Sequence, residues 1–127
     1  MTGAAVLVLV PDLFFRTKIE STARAIGVRT VPLAPGEDAS VAARASGARG
    51  LLVDLNLEGG DPLAPVAQLR ANSATASVRI VGFLSHLQDD LREKAVRAGF
   101  DQVLARSRFS ADLPTLLREL AASPTGV

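Results

Sequence analysis

Asp54 ends the apolar run Gly50-Leu51-Leu52-Val53 and precedes Leu55-Asn56-Leu57 and a Gly59-Gly60 turn, so a buried strand would deliver one carboxylate to a loop. In chains that alternate strands and helices, ligands and chemistry collect where strand ends open onto such turns. A carboxylate placed there could accept a transferred group or help to hold a cation. Either task needs helpers. A hard cation such as magnesium asks for several oxygen ligands in near-octahedral order, and Asp12 is the one other acid whose loop could bend toward Asp54. Pro11 restricts that bend, and Asp12 is well placed to cap the helix that follows, so the capping role is preferred.

Other reactive groups have plainer readings. His86, the only histidine, invites an acid/base role near a strand-end carboxylate. It falls in the first turn of a predicted helix, however, and a half-exposed helical residue is the reading kept. Ser85 stands three residues before Gln88, the spacing of a capping box, and has no Gly-x-Ser-x-Gly elbow around it. Gly59-Gly60 reads as a turn between Leu57 and Pro62, because no strand, glycine-rich fingerprint and helix follow in the order a phosphate cradle needs. The basic residues Arg92, Lys94, Arg97, Arg106, Arg108 and Arg118 interleave with Glu93, Asp112 and Glu119, as on solvated helical faces.

Positioning Asp54 falls to short β-branched runs that alternate with segments of helical period, the pattern of a parallel sheet covered on both faces. The predicted strands are Ala5 to Val10, Val28 to Leu33, Gly50 to Asp54, Val78 to Leu84 and Asp101 to Ala105. The first helix, Leu13 to Ile26, places Phe15, Ile19, Ala23 and Ile26 on one face and ends at Gly27. The second, Ala39 to Ser46, has Val41, Ala42 and Ala45 as its core face and is closed by Gly47. A third runs from Pro62 to Ala71 with Asp61 as N-cap, and a fourth from Leu87 to Ala98, stopped by Gly99. Ser110 is expected to open the last helix, carrying Leu113, Leu116, Leu117 and Leu120, with Pro114 in its first turns. Residues 1–121 are expected to form one domain and 122–127 a frayed tail.

Composition excludes several classes. The 127 residues suit one domain, and with 48% apolar and 21% charged residues the chain is globular in character. A net charge of +1 gives no field that implies a nucleic acid or a membrane surface. The absence of cysteine excludes disulfides and thiolate metal sites, and one histidine excludes a multi-histidine metal site within one chain. No apolar run has the length of a membrane span or the form of an export signal, so a cytoplasmic location is expected.

The order of elements, with Val6 to Ile19, Leu52-Val53-Asp54-Leu55-Asn56-Leu57, and Ala98-Gly99-Phe100-Asp101-Gln102-Val103-Leu104-Ala105-Arg106-Ser107, resembles the receiver domain of bacterial response regulators over nearly the whole chain. The last segment is similar to that family's Ala-Gly-Ala-Asp-Asp-Tyr-Leu-x-Lys-Pro stretch. The resemblance implies a flavodoxin-like, CheY-like α/β fold: one doubly wound five-stranded parallel sheet, order 2-1-3-4-5, with five flanking helices. It also implies that Asp54 holds the phosphoacceptor position. The family's acidic pair falls on Val10 and Pro11, its hydroxyl on Leu84 beside Ser85, its lysine on Arg106, and its following proline on Ser107.

Those replacements shape the expected function. Neither Val10 nor Pro11 can hold a cation through its side chain, Leu84 removes a hydroxyl donor, and Val103 stands where the family often has an aromatic that reports the switch. Arg106 brings a guanidinium able to pair with a carboxylate, and is expected to pair with Asp54 and hold one conformation. The expected pocket is therefore Asp12, Asn56, Leu84, Ser85 and Arg106 around Asp54, with no catalytic residue, no cofactor and no metal site beyond the weak pair Asp12 and Asp54. The chain would be a stand-alone, non-enzymatic pseudo-receiver that meets a protein partner, or a second copy, through the fourth helix, fifth strand and fifth helix. One alternative keeps magnesium-dependent phosphorylation of Asp54 in a two-component phosphorelay. Another is a flavodoxin-like small-ligand binder, for which the loop Pro11-Asp12-Leu13-Phe14-Phe15 is bulky and poor in glycine and hydroxyls.

Overall fold

The computed structural model describes residues 4–85 and 89–122. Five parallel strands, β1 (Ala5–Leu9), β2 (Arg29–Pro32), β3 (Ala48–Asp54), β4 (Arg79–Leu84) and β5 (Gln102–Ala105), form one sheet in the order β2-β1-β3-β4-β5. Because all five run the same way, their carboxyl ends and following loops share one edge, with Asp54 at its centre. The central strands β1, β3 and β4 are apolar at nearly every position, as strands covered on both faces must be.

Alternation along those strands splits the core in two. Leu7, Leu9, Leu51, Val53, Leu55, Ile80 and Leu84 face one layer, with Ala39 and Ala43 of α2 (Ala39–Ser46), Val66 and Leu69 of α3 (Ala64–Arg70) and Ala95 of α4 (Asp89–Ala98) on that side. Val6, Val8, Leu52, Val81 and Phe83 face the other, against Ile19 and Ala23 of α1 (Leu13–Ala25), Phe109 of α5 (Arg106–Ala111) and Leu116, Leu117 and Leu120 of α6 (Leu113–Ala121). Each large apolar side chain so buried contributes roughly 1.5–3 kcal/mol. Two glycines permit close approach: a Cβ on Gly50 would lie 2.5 Å from the Leu120 carbonyl oxygen, and one on Gly82 would lie 2.7 Å from the Phe100 ring.

Among the described residues six helices flank the sheet, where five were expected. Ser110 does not open the last one; it lies inside α5, the chain breaks at Asp112 (φ −102°, ψ 12°), and Pro114 sits in the first turn of a separate α6. Proline has no amide to bond backward and its ring collides with the carbonyl four residues earlier, so one helix cannot run through Ser110 to Pro114. Pro65 acts likewise in α3, which starts at Ala64 and not at Pro62. Asp61 is accordingly no N-cap: it accepts a hydrogen bond from Leu63 N at 2.9 Å and shapes the preceding turn.

The core face of α2 also differs from expectation. Ala39, Ser40 and Ala43 are buried while Val41 is 55% exposed and Ala45 faces water. Small residues let this short helix lie close to its neighbours, and the buried Ser40 hydroxyl meets Thr75 Oγ1 at 3.2 Å, a pairing that turns Val41 outward. Strand β3 begins two residues earlier than expected, at Ala48, with a register shift against β1 between Ala5 and Val6. The Ser85 to Gln88 capping box, His86 and the tail beyond Ala122 fall wholly or partly outside the described residues.

Candidate functional site

Asp54 is the last residue of β3 and is only 5% exposed. Its Oδ1 accepts a hydrogen bond from Asn56 N at 2.9 Å, folding the carboxylate back on its own loop. Its Oδ2 lies 3.6 Å from Arg106 Nη2, an ion pair between the end of β3 and the first residue of α5. Burial pushes the Asp54 carboxyl above the ordinary aspartate range; the Asn56 amide and the Arg106 charge oppose that rise, and the nearby charge of Asp12 adds to it. The carboxylate is thus kept in an unfavourable place by its strand and only partly compensated.

Asp12 does what its sequence position suggests. Its Oδ1 accepts hydrogen bonds from Phe14 N at 2.9 Å and Phe15 N at 3.2 Å, capping α1. Val10 is buried and Pro11 exposed. Pro11, Asp12, Asp54, Asn56, Leu57 and Glu58 line an open cleft of about 420 Å³. Among the described residues, no three His, Cys, Asp or Glu side chains are grouped to hold a metal ion. One oxygen of Asp12 is engaged as the cap of α1, and Asp54 Oδ2 faces a guanidinium.

Asn56 clasps the neighbouring loop: its Oδ1 accepts from Ser85 N at 2.7 Å and from Ser85 Oγ at 3.1 Å. The Ser85 hydroxyl is therefore spent on Asn56. Gly59, at φ +86°, makes a turn, and Gly60 packs close to Pro35.

Leu84 does not belong to the pocket. It is 2% exposed and faces the α2–α3–α4 layer, because successive residues on a strand point to opposite sides and Asp54 faces the other. The side chain that β4 presents beside Asp54 is Phe83, its register partner. Here lies what the sequence reading missed. Phe83 stacks on Phe109 with centroids 4.5 Å apart, and Phe15 meets both edge-on at 5.3 and 5.9 Å. The Arg106 guanidinium carbon lies 4.9 Å from the Phe15 centroid and 5.5 Å from that of Phe83. Three of the five phenylalanines thus build a platform on which Arg106 rests while facing Asp54. The Arg106 side chain is 37% exposed, yet its Nε is buried with no hydrogen-bond partner among the described residues. Counting alternate positions along β4 back from Leu84 could have revealed Phe83; nothing in sequence spacing joins Phe15 or Phe109 to it.

No family model and no curated protein sequence matches the chain. Solved structures do. The receiver domain of a sensor histidine kinase from Pseudomonas aeruginosa PAO1, described with a magnesium ion coordinated in its active-site cleft, is 27% identical, with a TM-score of 0.78 over 95% of this chain and 99% of that one. A response regulator from Chloroflexus aurantiacus, 19% identical, superposes with a TM-score of 0.81 over 95% and 99% of the two chains. NtrX from Brucella abortus, 17% identical, matches over 97% of this chain but 28% of its own, with a TM-score of 0.76. Among the described residues no helix is long and apolar enough to cross a membrane. This chain shares the fold that unites these receiver-domain structures, a five-stranded parallel sheet in the order β2-β1-β3-β4-β5, and holds an aspartate at the end of its third strand.

Proposed function

We propose that this receiver domain signals by protein contact and does not depend on magnesium-driven phosphorylation of Asp54. The observation that carries the reading is the Arg106 guanidinium, 3.6 Å from Asp54 Oδ2 and resting on aromatic rings. An aspartate attacks a phosphoanion poorly unless a hard cation neutralises the incoming oxygens. Here the positions of the family's acidic pair hold Val10 and Pro11, the carboxylate of Asp12 caps α1, and the positive charge of Arg106 already occupies one side of Asp54. The chain is then a binding module and not an enzyme, working in the cytoplasm. Its contact face would be α4, β5 and α5, where Val96 is exposed among Arg92, Glu93 and Arg97.

A second reading has its own support: Asp12, Asp54 and Glu58 line one cleft, and the Pseudomonas receiver domain was described with magnesium in its cleft. One experiment separates the two. Purified protein is incubated with magnesium and either a small phosphodonor or beryllofluoride, and its intact mass and fluorine NMR spectrum are recorded. The contact reading expects no adduct; an adduct lost in Asp54→Asn overturns it in favour of phosphorylation. Sedimentation velocity with and without Val96→Glu tests whether a second copy is the partner.

A further inference from the structure

We infer that Arg106 is a latch that ties the negative charge of Asp54 to the seating of α5, through the ring platform of Phe15, Phe83 and Phe109. This deepens the proposed function by naming a conformational device, and it rests on Asp54 acting as an unmodified carboxylate.

The latch follows from how α5 is held. This helix has six residues and no side-chain hydrogen bond at its N-cap, Ala105. Two things anchor it inward. Phe109 is fully buried and stacked on Phe83, and Arg106 bridges the rings and Asp54. The surface pair of Arg108 with Asp112 lies within the segment itself, from α5 to the break before α6, and ties it to nothing else. The first turn of α5 therefore depends on one side chain.

That side chain is imperfectly satisfied where it sits. A guanidinium has five donors in a rigid fork, and paired groups normally satisfy them bidentately. Here the approach to Asp54 is 3.6 Å, longer than a charge-assisted hydrogen bond, and the buried Nε has no partner among the described residues. Leaving a donor unmet inside the protein is unfavourable, and water would satisfy it. With more than a third of the side chain already exposed, the route outward is short. What holds the group down is attraction to the Asp54 charge and to the ring faces. Once that charge is gone the balance favours water, the platform loses its cover, and the first turn of α5 loosens.

Hydrogen exchange without magnesium or phosphodonor tests this, so its failure is separate from failure of the phosphorylation-independent reading. In Asp54→Asn the side chain keeps an acceptor for the Asn56 amide and loses only charge. The α5 amides of residues 109–111, which close the helix onto its first turn, should then exchange on the order of tenfold faster than in the parent, with β1 and β3 unchanged. In Arg106→Met an apolar side chain covers the rings, so exchange there should stay slow. The double variant should match Arg106→Met. Unchanged α5 exchange in Asp54→Asn overturns the latch, as does a double variant as fast as Asp54→Asn. A measurement on the parent protein guards against misfolded variants: the Arg106 Nε–H, assigned by its loss in Arg106→Lys, should exchange slowly, and a rate equal to that of surface arginines overturns the proposal.

Discussion

Two arginine–aspartate pairs sit at opposite ends of the same sheet and do opposite things. At the amino end, Arg70 of α3 donates from Nη1 to the carbonyls of Ala76 (2.7 Å) and Val78 (2.6 Å), and from Nη2 to Gly99 O and Asp101 Oδ2, both at 3.2 Å. Asp101 in turn accepts from Ile80 N at 2.7 Å, so the pair ties α3, β4 and the approach to β5 together. At the carboxyl end, Arg106 reaches Asp54 at 3.6 Å and leaves Nε unmet. The first pair is saturated with backbone partners and behaves as a rivet. The second is held by charge and ring faces, where losing one term shifts the balance. An ion pair alone therefore says little about rigidity; the count of satisfied donors around it says more.

If the stacked rings contribute more stability at the carboxyl end than the solvent-screened ion pair does, the largest loss there should come from an aromatic. Phe109→Ala empties a fully buried site against Phe83 and should destabilise the protein by about 3–5 kcal/mol in urea unfolding. A loss smaller than that of Arg106→Met would reverse the assignment of roles at this end.

The rivet comes next. Arg70→Ala strands three carbonyl oxygens and the Asp101 carboxylate, and should cost about 2–3 kcal/mol, because hydrogen bonds to a charged group are worth more than neutral ones. Arg70→Lys should recover only part of this, since an ammonium cannot span the same fork. Full recovery would show that charge alone matters at the amino end, and would erase the contrast.

Much of this molecule could be read from residue order. The apolar runs gave all five strands because buried parallel strands are apolar on both faces, and the glycines and prolines between them marked the turns. Asp54 was visible because a lone acid closing such a run has nowhere neutral to go. Errors arose where packing decides. The face of α2 depends on which residues are small enough to approach, so Val41 turned out although it is the more apolar choice. Counting along a family pattern put Leu84 in the pocket; strand alternation puts it on the far side of the sheet and Phe83 beside Asp54. The platform under Arg106 draws on α1, β4 and α5, and only the folded topology brings those segments together.

A smaller effect should appear as a pH dependence. The Asp54 carboxyl titrates above its ordinary value of 3.8 chiefly because it is buried, so the folded chain holds this proton more tightly than the unfolded chain. Between the ordinary value and the raised one the native state binds more protons, and stability contributed by this site falls as pH rises through that window. Asp54→Asn removes the dependence. Relative to the parent it should gain stability from pH 3.5 to pH 7, read as a difference between paired urea curves at each pH, even as the first turn of α5 loosens. A constant difference across that range would mean that the Arg106 charge fully offsets the burial of the carboxylate.

The smallest change should come from Arg106→Met. The substitution leaves Asp54 buried without its cation, which is unfavourable, but it also removes a buried donor without a partner and covers the rings with a flexible apolar chain. With the guanidinium more than a third exposed, solvent already screens the ion pair, so the net effect on unfolding free energy should lie within about 1 kcal/mol. The sharper readout is Asp54 itself: with its nearest positive charge gone, its carboxyl should titrate still higher, followed by carboxyl-carbon NMR. A downward or absent shift would mean that Arg106 exerts no charge effect on Asp54, and the carboxyl end would then be held by its aromatic rings alone.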